Sequence, residues 1–229
     1  MSGRLAYVQS GSRIHVIRFD GAASPREIGV VDLEVPYASR FTVAGRGDVL
    51  YVGLWAGELV VIDVSDPAQP RIRKRVASPA GTFDLVLGME HAYAIGVRGL
   101  AVVDIHDPWS PIQLGTMDMS GNVIAISSEH LIASGDETTI VVEVSEPTTP
   151  VQIAELDNAG YARGISVDEP WVYILQTETV HVLDVVNPAQ PRFVGQLNLD
   201  DYATEIRLGR HGLLAATYRS LSLYPGHCH

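Results

Sequence analysis

The sequence contains a small set of side chains that could hold or act on an organic molecule. Carboxylates serve as general acids or bases and phenols as proton donors, whereas guanidinium groups hold anions and aromatic rings supply apolar contact area. The candidates for catalysis are Asp84, Glu205, Tyr161 and Tyr202. The candidates for ligand binding are Arg40, Arg163, Tyr37, Trp55, Phe83 and Asn122.

No familiar catalytic motif accompanies these residues in the sequence. Nucleophile elbows, paired metal-binding cysteines, zinc-protease helices and phosphate loops are absent. The segment Gly45-Arg46-Gly47-Asp48 lacks the third glycine of a dinucleotide fingerprint and predicts a turn. His227-Cys228-His229 offers three ligand types, but consecutive residues rarely complete tetrahedral zinc, so we expect no metal and no cofactor.

Composition narrows the class of partner. The 229 residues include 16 basic and 27 acidic side chains, for a net charge of −11, which repels phosphate backbones and anionic lipid headgroups. We therefore expect neither nucleic acid nor membrane as a partner. The single cysteine excludes an intramolecular disulfide, and the sequence shows no signal-peptide or membrane-span pattern, which favours a cytoplasmic protein.

A repeat of about forty residues organises the whole chain. Segment 59–70, which reads Leu-Val-Val-Ile-Asp-Val-Ser-Asp-Pro-Ala-Gln-Pro, recurs without gaps at 100–111, 139–150 and 180–191, and in weakened form at 14–25. The closing prolines of these copies are 39 to 45 residues apart. A short apolar landmark precedes each copy and starts a sixth unit at 213–215.

Each unit reads as four short strands joined by tight turns. In the best-formed unit we predict strands at 41–44, 49–54, 59–64 and 72–77, where β-branched and aromatic residues are bounded by Gly, Pro and Asp. Four antiparallel strands per forty residues form one blade of a β-propeller, an all-β fold. The acids that recur at the end of strand three are expected to be structural: Asp63, Asp104, Glu143 and Asp184.

The chain resembles the LVIVD-repeat β-propellers. The resemblance rests on Leu59-Val60-Val61-Ile62-Asp63 and Val180-His181-Val182-Leu183-Asp184 and extends over nearly the whole chain. It implies a propeller but no single activity, since propellers include hydrolases, lyases, ligand binders and interaction platforms.

Counting strands predicts how the ring is built from a single domain spanning residues 1–229. The sequence supplies six copies of strands two and three but only five of strands one and four. We favour six blades whose first and last have three strands; five blades with extra strands packed outside is the alternative. Both leave unpaired edges near residues 6–10 and 220–224, so we expect a homodimer or a protein partner joined through the terminal blades.

The candidate residues fall where strand four leads into the next blade, because these loops converge on the mouth of the channel. Aligned positions form three rings: Tyr37, Gly81, Ser120, Tyr161 and Tyr202; Ser39, Phe83, Asn122, Arg163 and Thr204; and Arg40, Asp84, Val123, Gly164 and Glu205. Their mixed chemistry is what a binding site needs. Trp55 lies on a turn with one extra residue and either closes over a ligand, anchors an interface or packs on the next blade.

Three functions remain open from the sequence. The first is a binding module that holds a protein or small ligand at the channel mouth. The second is a lyase, cyclase or hydrolase of a small substrate, with Asp84 or Glu205 as acid or base, Tyr161 or Tyr202 as proton donor and an arginine holding an anionic group. The third is a purely structural assembly protein.

Overall fold

The chain folds entirely into antiparallel strands over the residues that can be described. A computed structural model describes residues 4–20, 24–35, 41–78, 81–157, 160–209, 212–217 and 219–225. These contain 22 strands and no helix, hence no helix that could cross a membrane. The strands are β1 (Arg4–Ser10), β2 (Arg13–Phe19), β3 (Arg26–Asp32), β4 (Phe41–Arg46), β5 (Val49–Leu54), β6 (Glu58–Asp63), β7 (Arg71–Ala77), β8 (Thr82–Leu87), β9 (His91–Gly96), β10 (Gly99–Asp104), β11 (Ile112–Met117), β12 (Val123–Ser127), β13 (His130–Ser134), β14 (Thr138–Glu143), β15 (Val151–Asp157), β16 (Ala162–Asp168), β17 (Trp171–Gln176), β18 (Thr179–Asp184), β19 (Arg192–Asn198), β20 (Ala203–Gly209), β21 (Gly212–Thr217) and β22 (Leu221–Pro225).

The strands form six separate sheets, which are the blades of a β-propeller. Blade 1 is β1–β3, blade 2 is β4–β7, blade 3 is β8–β11, blade 4 is β12–β15, blade 5 is β16–β19 and blade 6 is β20–β22. The prediction of six blades with three strands in the first and last is confirmed, and the five-bladed alternative is wrong.

Blades are held together by apolar side chains on both faces of their middle strands. Every residue of β5 and nearly every residue of β6 is buried, so these strands read as continuous apolar runs rather than alternating ones. Val60 packs towards blade 1, whereas Val61 packs towards blade 3 against Leu85 and Ala94. Equivalent clusters join blade 3 to 4, 4 to 5 and 5 to 6.

Two of the four recurring acids, Asp63 and Asp184, have the structural role that the sequence predicts. Asp63 accepts hydrogen bonds from the Ser65 amide at 2.9 Å and from Arg73 Nε at 3.0 Å, which fixes the turn after β6. Asp184 accepts equivalent bonds from the Val186 amide and Arg192. The third strand of each complete blade begins and ends one residue before the predicted bounds, since the acid itself is the last paired residue.

Replacement of Ile62 with Asp is expected to unfold the protein. Ile62 is fully buried between blades 1 and 2, where a carboxylate would have no partner and would cost roughly 4 kcal/mol or more. Val186→Asp is the matched control, because Val186 is 72% exposed. Urea denaturation of both variants tests this; an Ile62→Asp protein as stable as the control would show that the face assignment is wrong.

The Asp63 turn predicts a pH dependence of stability. Hydrogen bonds from Ser65, and then the Arg73 side chain, lower the pKa of Asp63 from 3.8 to about 2. The native state therefore releases this proton more readily than the unfolded state, so the stabilisation is present above pH 4 and is lost as the pH falls through about 2. Thermal melting across this range should show the gap between wild type and Asp63→Asn closing at low pH. A gap independent of pH would contradict the assignment.

Candidate functional site

The innermost strands of blades 2 to 6 line a channel that contains a cavity. These strands are β4, β8, β12, β16 and β20, each of which leads its blade. The cavity has a volume of about 460 Å³. Among the side chains that line it are Phe41, Phe83, Asp84, Arg163, Glu205 and Arg207.

Bulges in three inner strands lie beside this cavity. In β8, Thr82 is opposite Gly96 and Asp84 is opposite Ile95, so Phe83 is an extra residue without a partner on the neighbouring strand. Phe83 and Asp84, on either side of this register shift, both line the cavity. Equivalent shifts occur at Arg163 and Thr204 in β16 and β20.

Asp84 is a partly buried carboxyl group with an unusual affinity for protons. Burial raises its pKa from 3.8 to about 6, and the nearby charge of Glu205 acts in the same direction. Hydrogen bonds from the Ile124 amide at 3.0 Å and the Leu85 amide at 2.8 Å oppose the shift. Asp84 thereby links the inner strands of blades 3 and 4 and is poised to exchange a proton near neutral pH.

Glu205 forms an ion pair at the channel wall. Its Oε1 accepts a hydrogen bond from Arg207 Nη1 at 2.6 Å, and it lies so close to Gly164 that a Cβ there would be 3.2 Å away. Burial raises the pKa of Glu205, while Arg207 opposes the shift. Arg207 was not among the sequence candidates, although its spacing of two from Glu205 on one strand could have indicated the shared face.

Arg163 is held between two aromatic rings at the cavity. Its guanidinium carbon lies 5.2 Å from the ring centroid of Tyr161 and 4.7 Å from that of Tyr202, within the range of cation–π attraction. Its buried Nε has no hydrogen-bond partner, and no carboxylate of the described residues forms an ion pair with Arg163. Arg163, Tyr161 and Tyr202, all three predicted from the sequence, therefore lie together.

The remaining described candidates surround the mouth of the channel. A second cavity of about 280 Å³ is lined by Gln9, Phe41, Phe83, Asn122 and Tyr161. The amide of Asn122 donates to Asp136 Oδ1 at 2.6 Å. Trp55 is 43% exposed and packs edge-on against Phe83 of blade 3, with ring centroids 4.8 Å apart, which is one of the three alternatives that the sequence left open for it.

Some of the residues predicted from the sequence lie outside the described residues. They are Tyr37, Arg40 and the consecutive potential metal ligands at 227–229. Within the described ranges, no group of three or more histidine, cysteine, aspartate or glutamate residues converges in a way that could hold a metal ion.

Comparison with known proteins agrees with this architecture. A family model described as the LVIVD repeat matches residues 41–78, 90–119 and 159–198. These stretches contain blade 2, the second to fourth strands of blade 3, and blade 5. No curated protein matches the chain significantly.

Several solved structures share the fold at low sequence identity. A functionally unknown protein from Desulfotomaculum acetoxidans has a TM-score of 0.77 and 13% identity, covering 96% of this chain and 79% of its own. The computationally designed Ika8 protein has a TM-score of 0.63 and 12% identity, covering 96% and 70%. BamB from Moraxella catarrhalis has a TM-score of 0.59 and 14% identity, covering 100% and 81%. Such likeness shows the fold alone.

Because the pKa of Asp84 is raised, the ionised side chain destabilises the native state. Asp84→Asn has no ionisable carboxyl group and should remove this destabilisation. The native state holds this proton more tightly than the unfolded state, so wild-type stability falls as the pH rises from about 4 to about 6. The advantage of Asp84→Asn should grow over that range and level off above it. Asp118→Asn, which removes an exposed charge, is the control for melting-temperature measurements. Parallel pH curves for the two variants would contradict the assignment.

Proposed function

Because the chain is a six-bladed β-propeller that carries LVIVD repeats, we propose that it binds a small organic anion in its channel cavity. The observation that carries the proposal is that Arg163 lines the cavity between Tyr161 and Tyr202 and forms no ion pair with an acidic side chain of the described residues. A ligand carboxylate in the cavity would pair with this guanidinium group through charge-assisted hydrogen bonds.

The size of the site favours a small molecule over a protein partner. A cavity of about 460 Å³ falls within the range of small-ligand sites, whereas a protein interface requires a broad exposed surface. Phe41 and Phe83 line both the main cavity and the mouth cavity, and their rings supply apolar contact. We therefore expect a ligand with an anionic group at Arg163 and an apolar or aromatic body.

The protein's own charge adds selectivity. A net charge of −11 disfavours the approach of anions in general, and Glu205 is already neutralised by Arg207. An inorganic anion has no apolar part to offset that repulsion. An aromatic carboxylate gains contact with the phenylalanines, so it is the class of ligand that this cavity suits best.

A second candidate function is catalysis on the same ligand. It is favoured by Asp84, whose pKa of about 6 suits a general acid or base at neutral pH. In this scheme Arg163 holds the anionic group, Asp84 transfers the proton and Tyr161 or Tyr202 donates a second hydrogen bond. This enzyme would be a lyase, cyclase or hydrolase of a small substrate, as the mixed chemistry of the rings predicts.

Binding of 3-phenylpropanoate and of the uncharged 3-phenylpropanamide tests the proposal. Calorimetry should detect the carboxylate and not the amide, because only the carboxylate pairs with Arg163. Arg163→Gln should weaken carboxylate binding by at least about tenfold, the effect expected for loss of a charge-assisted bond. Arg98→Gln, at an exposed position outside the cavity, removes the same charge and should bind as wild type does.

Two results would decide against the proposal. Equal binding of the acid and the amide would exclude recognition of the anionic group, and equal loss in both arginine variants would assign the effect to net charge. The catalytic alternative is tested by nuclear magnetic resonance of the molecule that remains bound through native purification. Its conversion by wild type but not by Asp84→Asn, with a pH inflection near 6, would favour an enzyme.

A further inference from the structure

Blade 6, which has three strands, exposes an apolar face that the complete blades bury. Leu221 and Leu223 of β22 are 66% and 55% exposed. By strand register they are equivalent to Leu59 and Val61 of blade 2, which are 1% and 0% exposed and pack against the next blade. The two leucines of β22 therefore point towards blade 1 without being covered by it.

Blade 1 exposes the facing surface. Val8 pairs with His15 as Val52 pairs with Val60, so Val8 and Val52 occupy equivalent positions. Val52 is fully buried against the preceding blade, whereas Val8 is 48% exposed. The apolar clusters of the described residues join blades 1 to 2, 2 to 3, 3 to 4, 4 to 5 and 5 to 6, and none joins blade 6 to blade 1.

The uncovered faces of blade 6 and blade 1 form an open seam between the two blades, and this seam has a structural cause. Neighbouring blades contact each other chiefly through their innermost strands, β4 with β8 and β16 with β20. In blade 1 this innermost position is not filled by any described residue, because β1 is equivalent to β5, the second strand of blade 2. The face of blade 6 therefore lacks the strand against which Leu221 and Leu223 would pack.

The outer edge at this seam also lacks protection. The fourth strands of blades 1 to 5 all carry a β-bulge, a feature that blunts an edge against pairing with other chains. In blade 6 the edge strand is β22, which pairs with β21 in unbroken register. It has no bulge and no lysine or arginine, and its proline is confined to the last position, so the free backbone groups of residues 221–224 can accept another strand.

We propose that an extended segment of a partner polypeptide fills this seam as two consecutive strands. One strand would pair with β22 as the fourth strand of blade 6, and the next would run beside β1 as the innermost strand of blade 1. These two positions follow one another in the repeat, as β7 is followed by β8, so one continuous segment supplies both.

Simple edge pairing between two copies explains less. A strand added only at the edge of β22 would satisfy backbone groups, but side chains in a sheet project from its faces and not from its edge. Leu221 and Leu223 would stay exposed in such a dimer. An innermost strand in blade 1 covers them, just as Leu85 of β8 packs in one cluster with Leu59 and Val61.

A peptide copied from residues 71–87 of this chain is the direct probe. It contains a fourth strand followed by an innermost strand, and its four basic and one acidic side chains complement the negative chain. Fluorescence anisotropy should show saturable 1:1 binding to the intact protein, and hydrogen exchange should slow in β1 and β22. A scrambled peptide of equal composition should not bind, because charge alone provides no register.

Matched variants identify the surface. The double variant Leu221→Lys/Leu223→Lys alters two exposed side chains and should weaken peptide binding by at least about tenfold, since two buried leucine contacts are lost. Val186→Lys, at another exposed apolar position, should leave binding unchanged. Sedimentation of the protein without peptide shows whether the chain associates with a second copy of itself.

Three outcomes would overturn the proposal. They are absence of binding by the 71–87 peptide, equal binding by the scrambled peptide, and self-association that the double variant abolishes. The last would identify a second copy of the chain as the occupant of the seam.

Discussion

The structure depends on one constraint, which is that each complete blade must bury both faces of its second and third strands. A single four-stranded sheet cannot do so, because each face needs an apolar partner. Val60 and Val61 illustrate the solution, since neighbouring residues of β6 pack against opposite neighbouring blades. Stability is therefore shared among the interfaces, and an interruption at one interface affects the two blades that form it.

The same constraint leaves the innermost strands free to vary. Their cavity-lining side chains differ from blade to blade, as Asp84, Arg163 and Glu205 show. Bulges at Phe83, Arg163 and Thr204 break the alternation at the level where the strands converge. A bulge changes the direction of the side chains beside it, and these three bulges lie where the blades differ most in the chemistry that they present to the cavity.

The fold could be predicted closely because every copy of the repeat has the apolar strand pattern that packing between blades requires. Alignment of the copies also placed Asp84 and Glu205 in one ring and Arg163 in the neighbouring ring, since equivalent positions lie at equal heights in the channel. The partners of these residues could not be predicted in the same way. The pairing of Arg207 with Glu205 and the contact of Trp55 with Phe83 depend on side-chain directions within individual blades, which repetition does not specify.

The seam and the cavity are connected by the channel wall. No described residue fills the innermost position of blade 1, which lies both beside blade 6 and at the sixth part of the wall around the cavity. Gln9 of β1 lines the mouth cavity, which shows how closely this position approaches the mouth. A strand inserted there would complete the channel wall between blades 6 and 2. Occupation of the seam and binding in the channel are therefore expected to be thermodynamically linked, each altering the affinity of the other by the same factor.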